Sequence, residues 1–270
     1  MRRIILALAL SAMAFPAFSQ DRAELHTFHC LHGCPTGASA TNDVIVREIY
    51  TLSSNDRRKF ADWVAYRVTS DTVGPSGSRR WQADPWLSDA ETLEPDDYDD
   101  APDAHQIDRG HQVPLAAFSA TPFASDTNIL SNITPQRSAL NQASWQYLEA
   151  QERRLVARAA PADPPSELYV LTGPLYERMM PSMPMPNGHE RHRLPSAYWK
   201  VLATSDGRMA AFIFDQDTPR SADYCVMRTT LEEVEIRADL ELFPRLANRE
   251  FADLGPYLGC APLPAPPAPG

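Results

Sequence analysis

From Ser138 to Ala159 the chain reads SALNQASWQYLEAQERRLVARA, with no glycine or proline, between Pro135 and Pro161. Good helix formers fill it. It predicts one helix over about 138–159 with a proline beyond each end. The other apolar stretches read as strands, the first by alternation and β-branching. DVIVREIYTL (43–52) predicts one strand, and FADWVAYRVT (60–69) a second, antiparallel to it across a turn. HQVPLAAF (111–118) and ELYVLTG (167–173) predict two more. SAYWKVLAT (196–204) and RMAAFIFDQ (208–216) form a hairpin about Ser205-Asp206-Gly207. Thr230 with Glu233 makes a capping box for a helix through about Leu240. With no repeat and no strong boundary, the pattern is α+β: a single domain with a central antiparallel sheet flanked by helices.

The ends read differently. Arg2 and Arg3 precede IILALALSAMAF, too short to span a bilayer comfortably, and Ala17-Phe18-Ser19 offers small residues for cleavage. Residues 1–19 are therefore read as a signal peptide, 20–260 as the folded domain and 261–270, Pro/Ala-rich, as an extended disordered tail. No other stretch is long and apolar enough for a transmembrane helix. The expected location is secreted or periplasmic, without a membrane partner. In such a compartment Cys30, Cys34, Cys225 and Cys260 read first as two disulfides, with three connectivities open. Proximity favours Cys30 with Cys34 and leaves Cys225 with Cys260. The second pair closes about 35 residues, worth roughly 3–4 kcal/mol. Zinc is the rival for HTFHCLHGC (26–34), although its spacing fits no standard zinc pattern.

Net charge falls from −10 to −12 once the leader takes away Arg2 and Arg3 and no acid. An acidic protein is not the default nucleic-acid binder. The arginines nevertheless cluster, at Arg79 and Arg80, Arg109, Arg137, Arg153, Arg154 and Arg158, and Arg191 and Arg193. Asp96, Asp97, Asp99, Asp100 and Asp103 lack the glycine and closing glutamate of a calcium loop and read as solvated surface.

IDRGHQVPLAAF (107–118) sets Asp108, Arg109 and His111 in a row before the chain turns apolar. Alone, His111 reads as a packed histidine. On the helix, Asn141, Trp145, Glu149 and Arg153 recur every four residues and share one broad face. Leu140, Tyr147, Leu148 and Leu155 fall on another and should be core. The bland reading of the polar face is a solvated surface with a Glu149–Arg153 pair. The sharper reading is a metal site. The Asn141 amide oxygen suits a hard cation such as Mg²⁺, while Glu149, two turns or about 12 Å further on, suits a bond to its hydration water. A histidine base, a hydrated cation and several arginines, Arg79 among them, suit phosphodiester cleavage.

DRGHQVPLA, followed by LSNITPQ and LNQASWQYLE, resembles the DNA/RNA non-specific endonucleases with a ββα-metal active site: the secreted Serratia-type nucleases and, more distantly, mitochondrial endonuclease G. CLHGCPTG, WVAYRVT, SRRWQADP, TGPLYER, LPSAYWK, FDQDTP and the late cysteine pair extend the resemblance over nearly the whole mature chain. The resemblance implies a sugar-non-specific endonuclease acting on single- and double-stranded DNA and RNA to leave 5′-phosphates. It casts His111 as general base and Asn141 as the protein ligand of Mg²⁺, with Mn²⁺ as a substitute. Glu149 holds the cation's water, and Arg79 and Arg153 engage the scissile phosphate. Arg109 and Asn132 match supporting positions, and Asp108 a structural one. The family's cysteine pairing agrees with the one above. A homodimer is open, since relatives are often dimers. His189 and His192, in a Met/Pro-rich stretch outside the family pattern, read as surface loop.

A small-ester phosphodiesterase and an exported nucleic-acid-binding or uptake module with a degenerate site are the alternatives. If His111 is the base, an ordinary histidine would lose activity as pH falls through about 6.5.

Overall fold

The computed structural model describes residues 25–75, 77–157, 166–184 and 191–262. The predicted leader, His189, and the tail beyond residue 262 lie outside them, as do the side chains of Arg191 and His192. The strands are β1 (Asp43–Val46), β2 (Tyr50–Asn55), β3 (Phe60–Thr69), β4 (Ile107–His111), β5 (Ile133–Arg137) and β6 (Glu167–Leu175). They continue with β7 (Met183–Pro184), β8 (Arg191–His192), β9 (Ala197–Ala203), β10 (Arg208–Asp215), β11 (Arg228–Thr229) and β12 (Ala252–Asp253). The helices are α1 (Ala101–His105), α2 (Leu115–Phe118), α3 (Ser138–Leu140), α4 (Gln146–Val156) and α5 (Leu231–Ala238).

One sheet runs β1-β2-β3-β6-β9-β10-β11, antiparallel at every step, and β12 adds to β10 in parallel. The stretch 43–52 is not one strand. It folds back at Arg47, whose buried guanidinium pairs with Asp84 at 2.6 Å and whose N–H donates to the Tyr50 carbonyl. Apolar alternation continues through this turn with no glycine or proline to mark it, so the reversal is hidden in the pattern. At the predicted hairpin, Gly207 takes a φ of 86°, the left-handed conformation a tight turn asks of glycine.

Both faces of the sheet are covered. Tyr50, Val64, Val170, Tyr198, Leu202 and Phe214 meet Leu140, Trp145, Leu148 and Leu155 on one side. Trp145 stands edge-on to Tyr198 and Phe214, with ring centroids 5.6 and 5.5 Å away. On the other side, Trp63, Leu171, Trp199 and Val201 pack on Leu231 and Val234 of α5 and on the arm around Cys30 and Cys34. Thr230 caps α5 by accepting from the Glu233 N–H; the Glu233 carboxylate lies 3.8 Å from Arg237, so only half of the expected box forms.

Three further expectations change. HQVPLAAF is not a strand. The ladder ends at His111, Pro114 has no N–H to continue it, and Leu115–Phe118 coil into a helical turn. The strand before the long helix, β5, pairs with β4 instead. The helix itself is broken by a π-turn over Asn141–Trp145, where Ala143 leaves helical geometry at φ −133° and ψ −105°. That extra residue changes the phase of the turns beyond it. Tyr147 consequently faces solvent, 54% exposed, while Leu140, Leu148 and Leu155 are core as predicted.

Cys30–Cys34 and Cys225–Cys260 form the two disulfides, which leaves no thiolate for zinc. His29, from the same stretch, is buried against the Thr51 hydroxyl and the Glu48 carbonyl. The 35-residue separation of the second bridge makes it the larger constraint on the unfolded chain. A Cys225→Ser/Cys260→Ser variant should lose about 4 kcal/mol in urea unfolding; a loss below about 1 kcal/mol would show that the bridge adds little.

Candidate active site

The site starts from a two-stranded ribbon. β4 and β5 approach so closely at Gly110 that a Cβ there would sit 2.6 Å from the Gln136 Cβ and 3.1 Å from the Thr134 carbonyl. Only glycine fits between Arg109 and His111. On the same strand, buried Asp108 accepts three hydrogen bonds: from the Ser138 hydroxyl (2.6 Å), the Asn141 amide (2.8 Å) and the Gln142 amide (2.9 Å). Those donors belong to the first turns of the broken helix. One carboxylate thus ties the histidine strand to the asparagine helix. It also fixes the Asn141 side chain, because committing Nδ2 to Asp108 leaves the carbonyl Oδ1 for another partner.

His111 is held by an asparagine that sequence reasoning missed. Asn128 places Oδ1 3.1 Å from His111 Nε2, so Nε2 carries the proton and Nδ1 keeps its lone pair. Trp81 lies against the imidazole, ring centroids 5.2 Å apart. Burial lowers the His111 pKa to about 4, and the Arg79 guanidinium pushes the same way against the Asn128 hydrogen bond. The ring is therefore a neutral base over a far wider range than an ordinary histidine, and the expected loss near pH 6.5 does not belong to His111.

Asn132 is fully buried and away from the cleft. Its amide donates to the Val113 and Thr127 carbonyls and accepts from the Val113 N–H, which fixes the loop carrying Asn128. Arg109 reaches the cleft with its guanidinium between Trp81 and Tyr98, and donates to the Pro95 carbonyl and to Asp99. The acidic run is accordingly not all solvated surface. Asp99 pairs with Arg109, and Asp97 is buried and accepts from the Glu94 N–H at 2.8 Å.

Glu149 does not pair with Arg153. The cation near it is Lys200, with Nζ 3.9 Å from Glu149 Oε1, and that oxygen is buried with no hydrogen-bond partner. Burial raises the Glu149 pKa to about 7, with Lys200 opposing the rise. Lys200 was also missed, though it left a signal: a lysine inside AYWKVLA, a strand buried at all seven positions.

The cleft between ribbon and helix has a volume of about 640 Å³ and brings together His111, Asn141, Glu149, Arg79, Arg109 and Arg153. Trp145, from the row read as one face, lies in the core beneath. Of the other clustered arginines, Arg137 pairs with Asp217, Arg154 binds the Tyr257 carbonyl and Arg193 stacks on Tyr176. A neutral imidazole, an available amide oxygen, a buried carboxylate and three guanidiniums in one cleft can bind an anion and take a proton beside it.

Residues 30–249 match the sequence family described as DNA/RNA non-specific endonuclease. The chain is 44% identical over 259 residues to a nuclease of Serratia marcescens, covering 94% of this chain and 95% of that protein. It is 27% identical over 242 residues to nuclease C1 of Cunninghamella echinulata var. echinulata, covering 81% of this chain and 90% of that one. A crystal structure of the EndoG/EndoGI complex shares its fold, with a TM-score of 0.62 at 23% identity over 77% of this chain and 88% of that chain.

The tautomer can be checked directly. In ¹⁵N NMR spectra of the metal-free protein, His111 should be the neutral Nε2–H form at pH 6 and should titrate near 4. An imidazolium at pH 6 would remove the case for a pre-formed base.

Proposed function

Because the chain belongs to the DNA/RNA non-specific endonuclease family, we propose that it is an exported sugar-non-specific endonuclease. It hydrolyses phosphodiester bonds of single- and double-stranded DNA and RNA and leaves 5′-phosphate and 3′-hydroxyl ends. One observation carries the reading: Asp108 and Asn128 orient Asn141 and His111 so that an amide oxygen and an imidazole nitrogen, each without a protein partner, share one arginine-lined cleft.

The residues fit a hard divalent cation. Asn141 Oδ1 is available, and the Glu149 carboxylate lines the same cleft. Asn141, and Glu149 through water, would hold Mg²⁺, with Mn²⁺ as a substitute. The bound cation supplies positive charge against the crowded oxygens of five-coordinate phosphorus. His111 Nδ1 takes the proton of the attacking water. Arg79 and Arg153 bind the phosphate and gain strength as its charge grows, and Arg109, fixed by Pro95 and Asp99, completes the anionic pocket. The bond from phosphorus to the 3′ oxygen breaks, and that oxygen takes a proton from solvent water. All these contacts go to phosphate, so neither base sequence nor sugar is read. The two disulfides support an oxidising compartment, in line with the predicted leader.

The test is digestion of plasmid DNA and ribosomal RNA by the mature, disulfide-bonded protein. Both polymers should be degraded with Mg²⁺ and spared with EDTA. His111→Ala should fall at least about 100-fold. Binding without cleavage by the wild type would replace this reading with that of an uptake module, and faster turnover of a small chromogenic ester than of DNA would favour a phosphodiesterase.

Substrate capture by phosphate contacts also predicts salt sensitivity. Raising salt from about 50 to about 200 mM should cut kcat/KM at least tenfold; an unchanged rate would show that phosphate contacts do not dominate binding.

A further inference from the structure

Beneath the cleft lies a charged cluster that the proposed chemistry does not use. Lys200 stands on β9 with its side chain fully buried, and so does Glu152 on α4. Lys200 Nζ is 2.9 Å from Glu152 Oε1, 3.4 Å from the Tyr66 hydroxyl and 4.3 Å from the centre of the Trp145 ring. The Tyr66 hydroxyl donates to the other Glu152 oxygen at 2.8 Å. Glu152 thus has both oxygens occupied.

Balancing Glu152 does not exhaust the lysine. An ammonium has three N–H donors. Glu149 sits three residues before Glu152 and so neighbours it on the helix. Its Oε1 is buried, lacks a hydrogen bond and lies 3.9 Å from the same Nζ. Two carboxylates side by side in the interior repel each other, and the lysine stands between them. Glu149 also lines the cleft. We propose that Lys200 is a positioning residue for the nuclease reaction: it draws Glu149 Oε1 down onto the sheet and leaves the other oxygen to face the cleft. This inference rests on the endonuclease reading above.

The rival is a purely structural lysine that only neutralises Glu152. Glu152→Gln separates the two, because it removes that partner and leaves Lys200 to Glu149. Lys200→Met/Glu152→Gln then removes one positive and one negative charge together, a change buried pairs often tolerate. The expected result is a Glu152→Gln enzyme with kcat within about threefold of wild type. The double variant, folded by circular dichroism, should have kcat reduced about 10- to 100-fold, as positioned groups contribute, with KM for DNA unchanged. In the metal-free proteins the Glu149 carboxyl ¹³C resonance should differ between the two variants. Equal kcat, a loss confined to KM, or an identical Glu149 resonance would overturn the proposal. If the double variant does not fold, Lys200→Arg decides, since it keeps the core charge but changes its shape. A kcat reduced at constant KM supports positioning, and wild-type kcat overturns it. A wild type that never cuts nucleic acid sinks the endonuclease reading and this one with it; a cutting wild type with an unaffected double variant sinks this one alone.

Discussion

The Asp108 carboxylate and its three donors set the geometry on which the cleft depends. Strand and helix come from different parts of the chain, and neither carries a complete site. Asp108 lies on the strand of His111, while Ser138, Asn141 and Gln142 lie on the helix. A hydrogen bond to a charged acceptor is roughly twice as strong as a neutral one. Three of them on one buried carboxylate fix distance and orientation together. Gly110 does the complementary work by letting the two ribbon strands close where any side chain would hold them apart. The DRGH string is thus a joint between ribbon and helix as well as the source of the imidazole in the cleft.

Burial then sets the electrostatics in two opposite directions. It depresses the His111 pKa to about 4 and raises that of Glu149 to about 7, because in each case it disfavours the charged form. Around neutral pH the imidazole is fully neutral, while the Glu149 carboxyl is balanced near its midpoint even with Lys200 opposing the rise from below. The arginines differ in their freedom. Arg109 is braced by aromatic rings and a carbonyl, whereas Arg79 is exposed on its loop.

Much of this was legible in the sequence, and the rest was hidden for identifiable reasons. The apolar runs gave β3, β6, β9 and β10, while β1 and β2 were read as one strand and the two-residue β11 and β12 were not read; DRGH with Asn141 and Glu149 gave polar residues that the cleft brings together. The reversal at Arg47 escaped because its cause is an ion pair to Asp84, 37 residues away. Asn128 escaped because it lies 17 residues from His111 with no periodic relation to it. Tyr66, Glu152 and Lys200 meet only when sheet and helix stack, so each looks ordinary on its own element. The π-turn escaped too, since SALNQASWQ contains nothing but acceptable helix residues. Its cause is tertiary: Trp145 must reach the aromatic core while Asn141 stays with Asp108.

That turn makes the site unusually sensitive to how the helix is wound. A regular α-helix advances about 100° per residue, and the bulge at Ala143 amounts to one residue spliced into such a helix. Rewinding the same residues into a uniform α-helix, with none removed, would restore uniform hydrogen bonding and suit local propensity better. It would also turn Glu149, Glu152 and Arg153 together by roughly a quarter of a turn relative to Asn141. The carboxylates would leave Lys200, and the arginine would leave the cleft. In evolutionary terms, the segment after Asn141 should accept many changes of letter so long as the bulge survives, and changes that only regularise the helix would abolish the site.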